Sequence, residues 1–170
     1  LVGEQYYMTR NTDEDGITTS YTHYYNDIIL INLDANGQVA WGEKVLKRQS
    51  ITTGLSRLNP AFGQCTFASF SFAVNKDEIS LFFNDHVNNT SLKEKRREVR
   101  PTPGTLRSNF CMVSVDQRGE MEKEILFYSK DNKVVFYPAF ARAYDISRTE
   151  LLFYGRYRKK ERVARFSPEF

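Results

Sequence analysis

The side chains best suited to chemistry are few and scattered. His23, His86, Cys65 and Cys111 are all the imidazole and thiol in the chain's 170 residues. They fall into no HExxH or CxxC spacing, so neither a zinc centre nor a dithiol redox pair is encoded. Asp85 and His86 adjoin, but adjacency alone does not orient an acid and a base, and a solvated strand end is the simpler account. A thiol becomes a nucleophile only where local charge lowers its pKa. Cys111 lies in the apolar run FCMVSV and is expected to pack as a small hydrophobe, while Cys65 follows Gly63-Gln64; one disulfide between them is permitted but not demanded. Asn11 to Gly16 is rich in oxygen ligands, yet an EF-hand loop needs Asp first and Glu twelfth, where this chain has Asn11 and Thr22. A polar loop is expected there, and a hairpin turn at Asp34-Ala35-Asn36-Gly37. No catalytic, metal-binding or cofactor-binding residue is assigned.

Binding chemistry has more candidates. Lys93 to Arg97 and Arg156 to Arg162 are basic runs, and Tyr157 lies within the second. Such side chains can hold phosphates and stack on a base, but the glutamates interleaved with them and the lack of an RNP, KH or zinc-finger pattern disfavour nucleic acid. Trp41 follows a turn and adjoins Val39, which suits packing between sheets and leaves a stacking role as the alternative. The candidate ligand or partner contacts are therefore Trp41, Lys95, Arg96, Arg97, Tyr157, Arg158 and Lys159.

The composition suits a folded domain: 41% hydrophobic, 14% aromatic and 26% charged. Twenty-four basic residues against 21 acidic give a net charge of +3, too small for a global field that recruits polyanions. No apolar run is long enough for a transmembrane helix, and no signal peptide opens the chain at Leu1.

Alternating apolar residues around glycine turns predict an all-β chain. IILINLD, ANG and QVAWGEKVL form a hairpin; FASFSFAV and EISLFFND form a second pair around Asn75-Lys76-Asp77, with Phe70, Phe72 and Val74 on its core face. Asp27 to Asp85 then reads as one four-stranded sheet, followed by a polar excursion from His86 to Thr105. The pattern restarts with FCMVSVD, QRG and EMEKEILFY, which match the first hairpin at a constant spacing of 82 residues. VVFYPAFARAYD and ELLFYG return the second pair, Leu152-Phe153-Tyr154 matching Leu81-Phe82-Phe83. The expected architecture is two four-stranded antiparallel, blade-like sheets in a single β domain or fragment spanning 1–170. Its repeat units run from about 22–99 and 104–170, with 1–21 belonging to a preceding unit.

The pattern D-I-x-L-I-x-L-D-x-N-G-x-V-x-W, followed by a strand ending in FFND and an Asn-rich loop, resembles β-propeller-like repeat proteins of Bacteroidota over roughly residues 22–170. The second copy departs from it: Met121 and Lys123 replace Val39 and Trp41, and Gly155-Arg156 replaces Asn84-Asp85. The resemblance implies a partial propeller, possible as a C-terminal fragment, or sheets closing as a sandwich, and a place in the periplasm or cell envelope. The function expected is a noncatalytic scaffold for protein–protein interaction, whose partner is another protein or the rest of its own propeller. A glycan- or small-ligand-binding barrel or propeller fragment, and a hydrolase with dispersed active groups, are the alternatives.

Overall fold

The computed structural model describes residues 1–54, 67–75, 78–92, 95–102, 104–145 and 150–167. Cys65, Lys93, the turn around Lys76-Asp77 and the last three residues lie outside them. The chain is all-β, as its alternation predicts. Among the described residues, twelve strands form three antiparallel sheets of four, none closed into a barrel. The first holds β1 (Val2–Thr12), β2 (Thr18–Leu33), β3 (Val39–Val45) and β4 (Gln49–Gly54). The second runs in chain order through β5 (Phe70–Asn75), β6 (Glu78–His86), β7 (Ser108–Asp116) and β8 (Met121–Tyr128). The third holds β9 (Val135–Phe136), β10 (Arg142–Asp145), β11 (Glu150–Tyr157) and β12 (Lys160–Phe166). A one-turn helix, α1 (Ser129–Asn132), leads into it.

One tight turn closes a hairpin three times. In the spans beginning at Asp34 and Asp116, the aspartate carboxylate accepts from the backbone N–H groups two and four residues on, at 2.8–2.9 Å. The glycine three residues on, Gly37 or Gly119, takes positive φ and donates back to the aspartate carbonyl at 3.0 Å. The segment beginning at Asp13 repeats this: Oδ1 accepts from Ile17 N at 2.8 Å and Gly16 has φ 76°. The oxygen-rich stretch after Asn11 is therefore a hairpin turn with its first carboxylate already committed to backbone.

The second sheet lies between the other two. Leu81, Phe83, Val113 and Val115 pack against Ile28, Leu30 and Val45 of the first sheet. Their strand neighbours Phe82 and Phe110 face the other way, against Val134, Phe136 and Phe153 of the third. Period-two alternation thus builds two cores from one sheet. Phe82, Phe110 and Phe153 bind the second core, with ring centroids 4.9 Å (Phe82–Phe153) and 5.0 Å (Phe110–Phe153) apart.

Three local expectations are corrected. The stretch from Asp27 to Asp85 does not make one sheet: β2 and β3 belong to the first, whereas β6 pairs with β7 across nine residue pairs. A strand apolar on both faces, such as Leu81-Phe82-Phe83, needs an interior sheet position with cover on each side, and β7 provides it. On β5, Phe72 and Val74 are exposed and Ala73 is buried, because β5 is the edge strand and projects beyond the cover of the first sheet, which is three strands wide at any level. Phe153 joins the core facing the second sheet together with Leu151, so it corresponds in facing to Phe83 rather than to Phe82; a slip of one residue inverts every side chain.

Candidate functional site

The first and second sheets are joined by a buried polar seam. Lys47, just past β3, is wholly enclosed; its Nζ donates to Glu4 Oε1 at 2.5 Å, Gln49 Oε1 at 2.8 Å and the Tyr25 carbonyl at 3.3 Å. Glu4 Oε2 accepts from Ser69 Oγ, and Gln49 Oε1 from Ser69 N, both at 2.8 Å. Ser69 adopts φ 66°, a left-handed conformation that aims both donors at the seam. Gln49 Nε2 reaches the Asn84 carbonyl at 2.8 Å, and Asn84 Nδ2 reaches the Phe136 carbonyl at 2.7 Å, so the chain of bonds touches all three sheets. Burial lowers the pKa of Lys47, and the Glu4 carboxylate opposes that shift.

A second knot surrounds Asp85. Its Oδ1 accepts from His86 N at 2.8 Å and Asn89 Nδ2 at 2.7 Å, and its Oδ2 from Lys123 Nζ at 2.6 Å. Lys123 also donates to the Asn89 carbonyl at 2.7 Å and stands 5.9 Å from the centre of the Phe83 ring. The His86 ring accepts from Asn88 N at 3.1 Å, so Asp85 and His86 serve different turns and form no dyad. His86 has its pKa lowered by burial and then by the neighbouring Arg100. Cys111 is a free, buried thiol raised to about 12 by burial, and His23 is enclosed between Tyr6 Oη at 2.8 Å and Thr53 Oγ1 at 3.4 Å. Among the described residues, no cluster of three metal-ligating side chains occurs.

The seven candidate contacts separate into three places. Trp41 donates from Nε1 to the Gln117 carbonyl at 2.7 Å and lies over Gly119, so it clamps the first sheet to the turn of the second. It also borders a groove of about 380 Å³ with Leu30, Val74 and Val115. Lys95 and Arg96 border a wider groove of about 750 Å³ floored by Ile29, Leu46, Leu92 and Met121. There Arg96 pairs with the buried Asp27. Arg97 sits in solvent, 3.8 Å from Glu98. Tyr157, Arg158 and Lys159 come together at the β11–β12 turn with Leu106, Lys133 and Lys160 around a cavity of about 570 Å³.

Sequence reasoning missed Lys47, Glu4, Gln49 and Lys123. The available signal was Lys123, which stands 82 residues after Trp41 in sequence; in the structure a one-residue register shift sets it opposite Val113, whereas Trp41 lies opposite Asn32. It missed the first sheet's outer face too. Ile29, Ile31 and Leu33 correspond, at the same spacing, to Cys111, Val113 and Val115. The latter three are 2%, 0% and 1% exposed beneath the first sheet, whereas Ile29 is 44% and Leu33 41% exposed.

No family model matches the chain, and no curated protein or solved structure matches it. Among the described residues no helix is long and apolar enough to cross a membrane.

Proposed function

We propose that this chain is a noncatalytic β scaffold mediating protein–protein association, with the outer face of its first sheet as the contact surface. The observation carrying this reading is the unequal fate of equivalent residues. The face of the second sheet bearing Cys111, Val113 and Val115 is buried; on the matching face of the first, Ile29 and Leu33 are exposed and Ile31 is half-buried. Large apolar side chains exposed on one sheet face favour association. The occupant proposed is a β-sheet of the same build, presenting a counterpart of the Ile28 and Leu30 face. The stacking of three four-stranded sheets supports the propeller-like resemblance, and with it the proposal extends to a place in the cell envelope.

The test is native mass spectrometry with cross-linking on the particle isolated from its source, beside an Ile29→Lys/Leu33→Lys variant. The expected result is a cross-linked β-sheet partner seated on β2 and lost in the variant, which melts within a few degrees of the wild type. A source particle consisting of this chain alone, with Ile29 and Leu33 open to solvent labelling, would refute the proposal.

A second reading, glycan capture, is favoured by the exposed aromatics of the long β1–β2 ribbon. Tyr7 and Tyr24 stack there at 4.5 Å, with Tyr6 and Met8 exposed on the opposite face of the ribbon. Glycan-array binding lost on Tyr7→Ala would support it, and a blank array would remove it.

A further inference from the structure

Three non-glycine residues among those described have positive φ: Ser69, Lys133 and Arg158. Ser69 returns that strain by donating twice into the buried seam. Lys133 and Arg158 have no such return inside the fold. Lys133, at φ 53°, caps α1 where glycine or asparagine is the usual choice. Arg158, at φ 55°, is the first of two residues in the β11–β12 turn, a position where positive φ favours glycine. The β9–β11 ladder pairs Val135 with Arg156 and Phe136 with Gly155; continued by two residues, it sets Lys133 opposite Arg158. Both line the cavity at this turn.

That cavity gathers Lys133, Arg158, Lys159 and Lys160 and, among the described residues, has no carboxylate in its wall. Among the described residues none of the four cations has an ion-pair partner; the nearby Glu161 is instead 3.5 Å from Arg156. Arg156 Nε donates to the Arg158 carbonyl at 3.1 Å and fixes the turn from behind. The Arg158 guanidinium stands 5.6 Å from the centre of the Tyr157 ring, and Leu106 supplies an apolar wall. Two unfavourable choices therefore coincide: cations at glycine positions, and four like charges around one hollow. A multivalent anion neutralises the like charges and gives the two strained positions a reason to carry cations, and about 570 Å³ lies within the usual range for a small-ligand site.

We propose that this cavity binds a small organic phosphate, with Lys133, Arg158 and Lys160 on the phosphate oxygens and the organic group against Leu106 and Tyr157. Arginine supplies paired donors suited to a phosphate, and lysine adds point charge. The site is separate from the apolar face assigned to scaffolding and does not depend on that assignment.

The test is calorimetric titration of the full chain at low salt with three probes: inorganic pyrophosphate, a nucleoside diphosphate and a hexose monophosphate. Each is run on the wild type and on Lys133→Gly and Arg158→Gly. The expected result is saturable, salt-sensitive binding of pyrophosphate and tighter binding of at least one ester, which identifies the organic group. Each glycine variant weakens binding about tenfold, the loss of one charge-assisted contact, and melts at the wild-type temperature or above it because the strain is relieved. No saturable binding at millimolar concentrations, equal binding by both variants, or no gain of any ester over pyrophosphate would overturn the proposal. A several-degree drop in melting temperature in both variants would do so as well, by giving the two cations a structural purpose.

Discussion

Replacing Lys47 with Met tests whether the polar seam holds the first two sheets together. The change deletes three hydrogen bonds from an enclosed ammonium and leaves Glu4, among the described residues, with Ser69 Oγ alone. Removing one member of a buried pair costs about 3–5 kcal/mol; the Glu4 side chain keeps slight solvent contact, which places the expected loss near the lower end, about 3 kcal/mol. For a chain of this size that lowers the melting temperature by roughly 6–12 °C. Glu4→Gln alone leaves Lys47 without its countercharge and costs about 2 kcal/mol. The double variant holds neither stranded charge, so its loss falls short of the sum of the single losses by about 2 kcal/mol. Urea titrations of the four proteins at neutral pH measure this. Single losses that add within about 0.5 kcal/mol would refute the coupling. The pH dependence has a definite sign. Because burial depresses the folded pKa of Lys47 below its ordinary 10.5, the unfolded chain holds the extra proton between those two values. A pH-dependent increment to the stability of the wild type relative to Lys47→Met therefore rises across that window, fully present above 10.5 and lost as pH falls through the folded value, and it comes on top of the loss measured at neutral pH.

Two further substitutions probe the junction of the second and third sheets. Gly155→Ala places a methyl group 2.6 Å from Val134 Cγ1 and 3.0 Å from the Val135 carbonyl, and is expected to cost about 1–3 kcal/mol by overpacking; an unchanged denaturation midpoint would show that β9 yields freely. Phe153→Ala empties the second core and should cost about 3–5 kcal/mol, whereas Leu152→Ala, on the opposite face, should cost under half as much; the reverse order in chemical denaturation would restore the other register.

What could be read from the sequence is what short-range chemistry dictates. The Asp34 and Asp116 turns declare themselves through a carboxylate and a glycine at fixed separation, and the 82-residue match survives bond by bond within the turns, while the strands that leave them pair, over their middles, in registers one residue apart. Pairing between distant strands left no comparable mark. β6 has residues apolar on both faces and could pair with any strand of similar character, so its partnership with β7 is settled by cover for both sides at once. The register of Phe153 was misplaced because loops of unequal length separate it from the glycine turns that anchor the match. Lys47 and Lys123 escaped notice because lysine ordinarily signifies solvent; only their partners Glu4 and Asp85, distant in sequence, make burial tolerable. Of the candidate contacts, Tyr157, Arg158 and Lys159 do share one cavity, but its other two cations, Lys133 and Lys160, come from outside that triplet, and Lys133 from another element.

The second sheet draws β5 and β6 from before the polar excursion and β7 and β8 from after it, so the repeating stretch of sequence and the folding sheet are out of phase. A segment cut at the sequence repeat would carry two half-sheets with raw edges and would be prone to sticking to its own copies. Shuffling or duplicating such segments yields a sound protein only when neighbours complete one another, like links that exist only when closed. An intact joint instead lies at Tyr128, where one sheet ends before the helix that opens the next. Gain or loss of whole sheets would therefore leave scars there, rather than at the motif that catches the eye in the sequence.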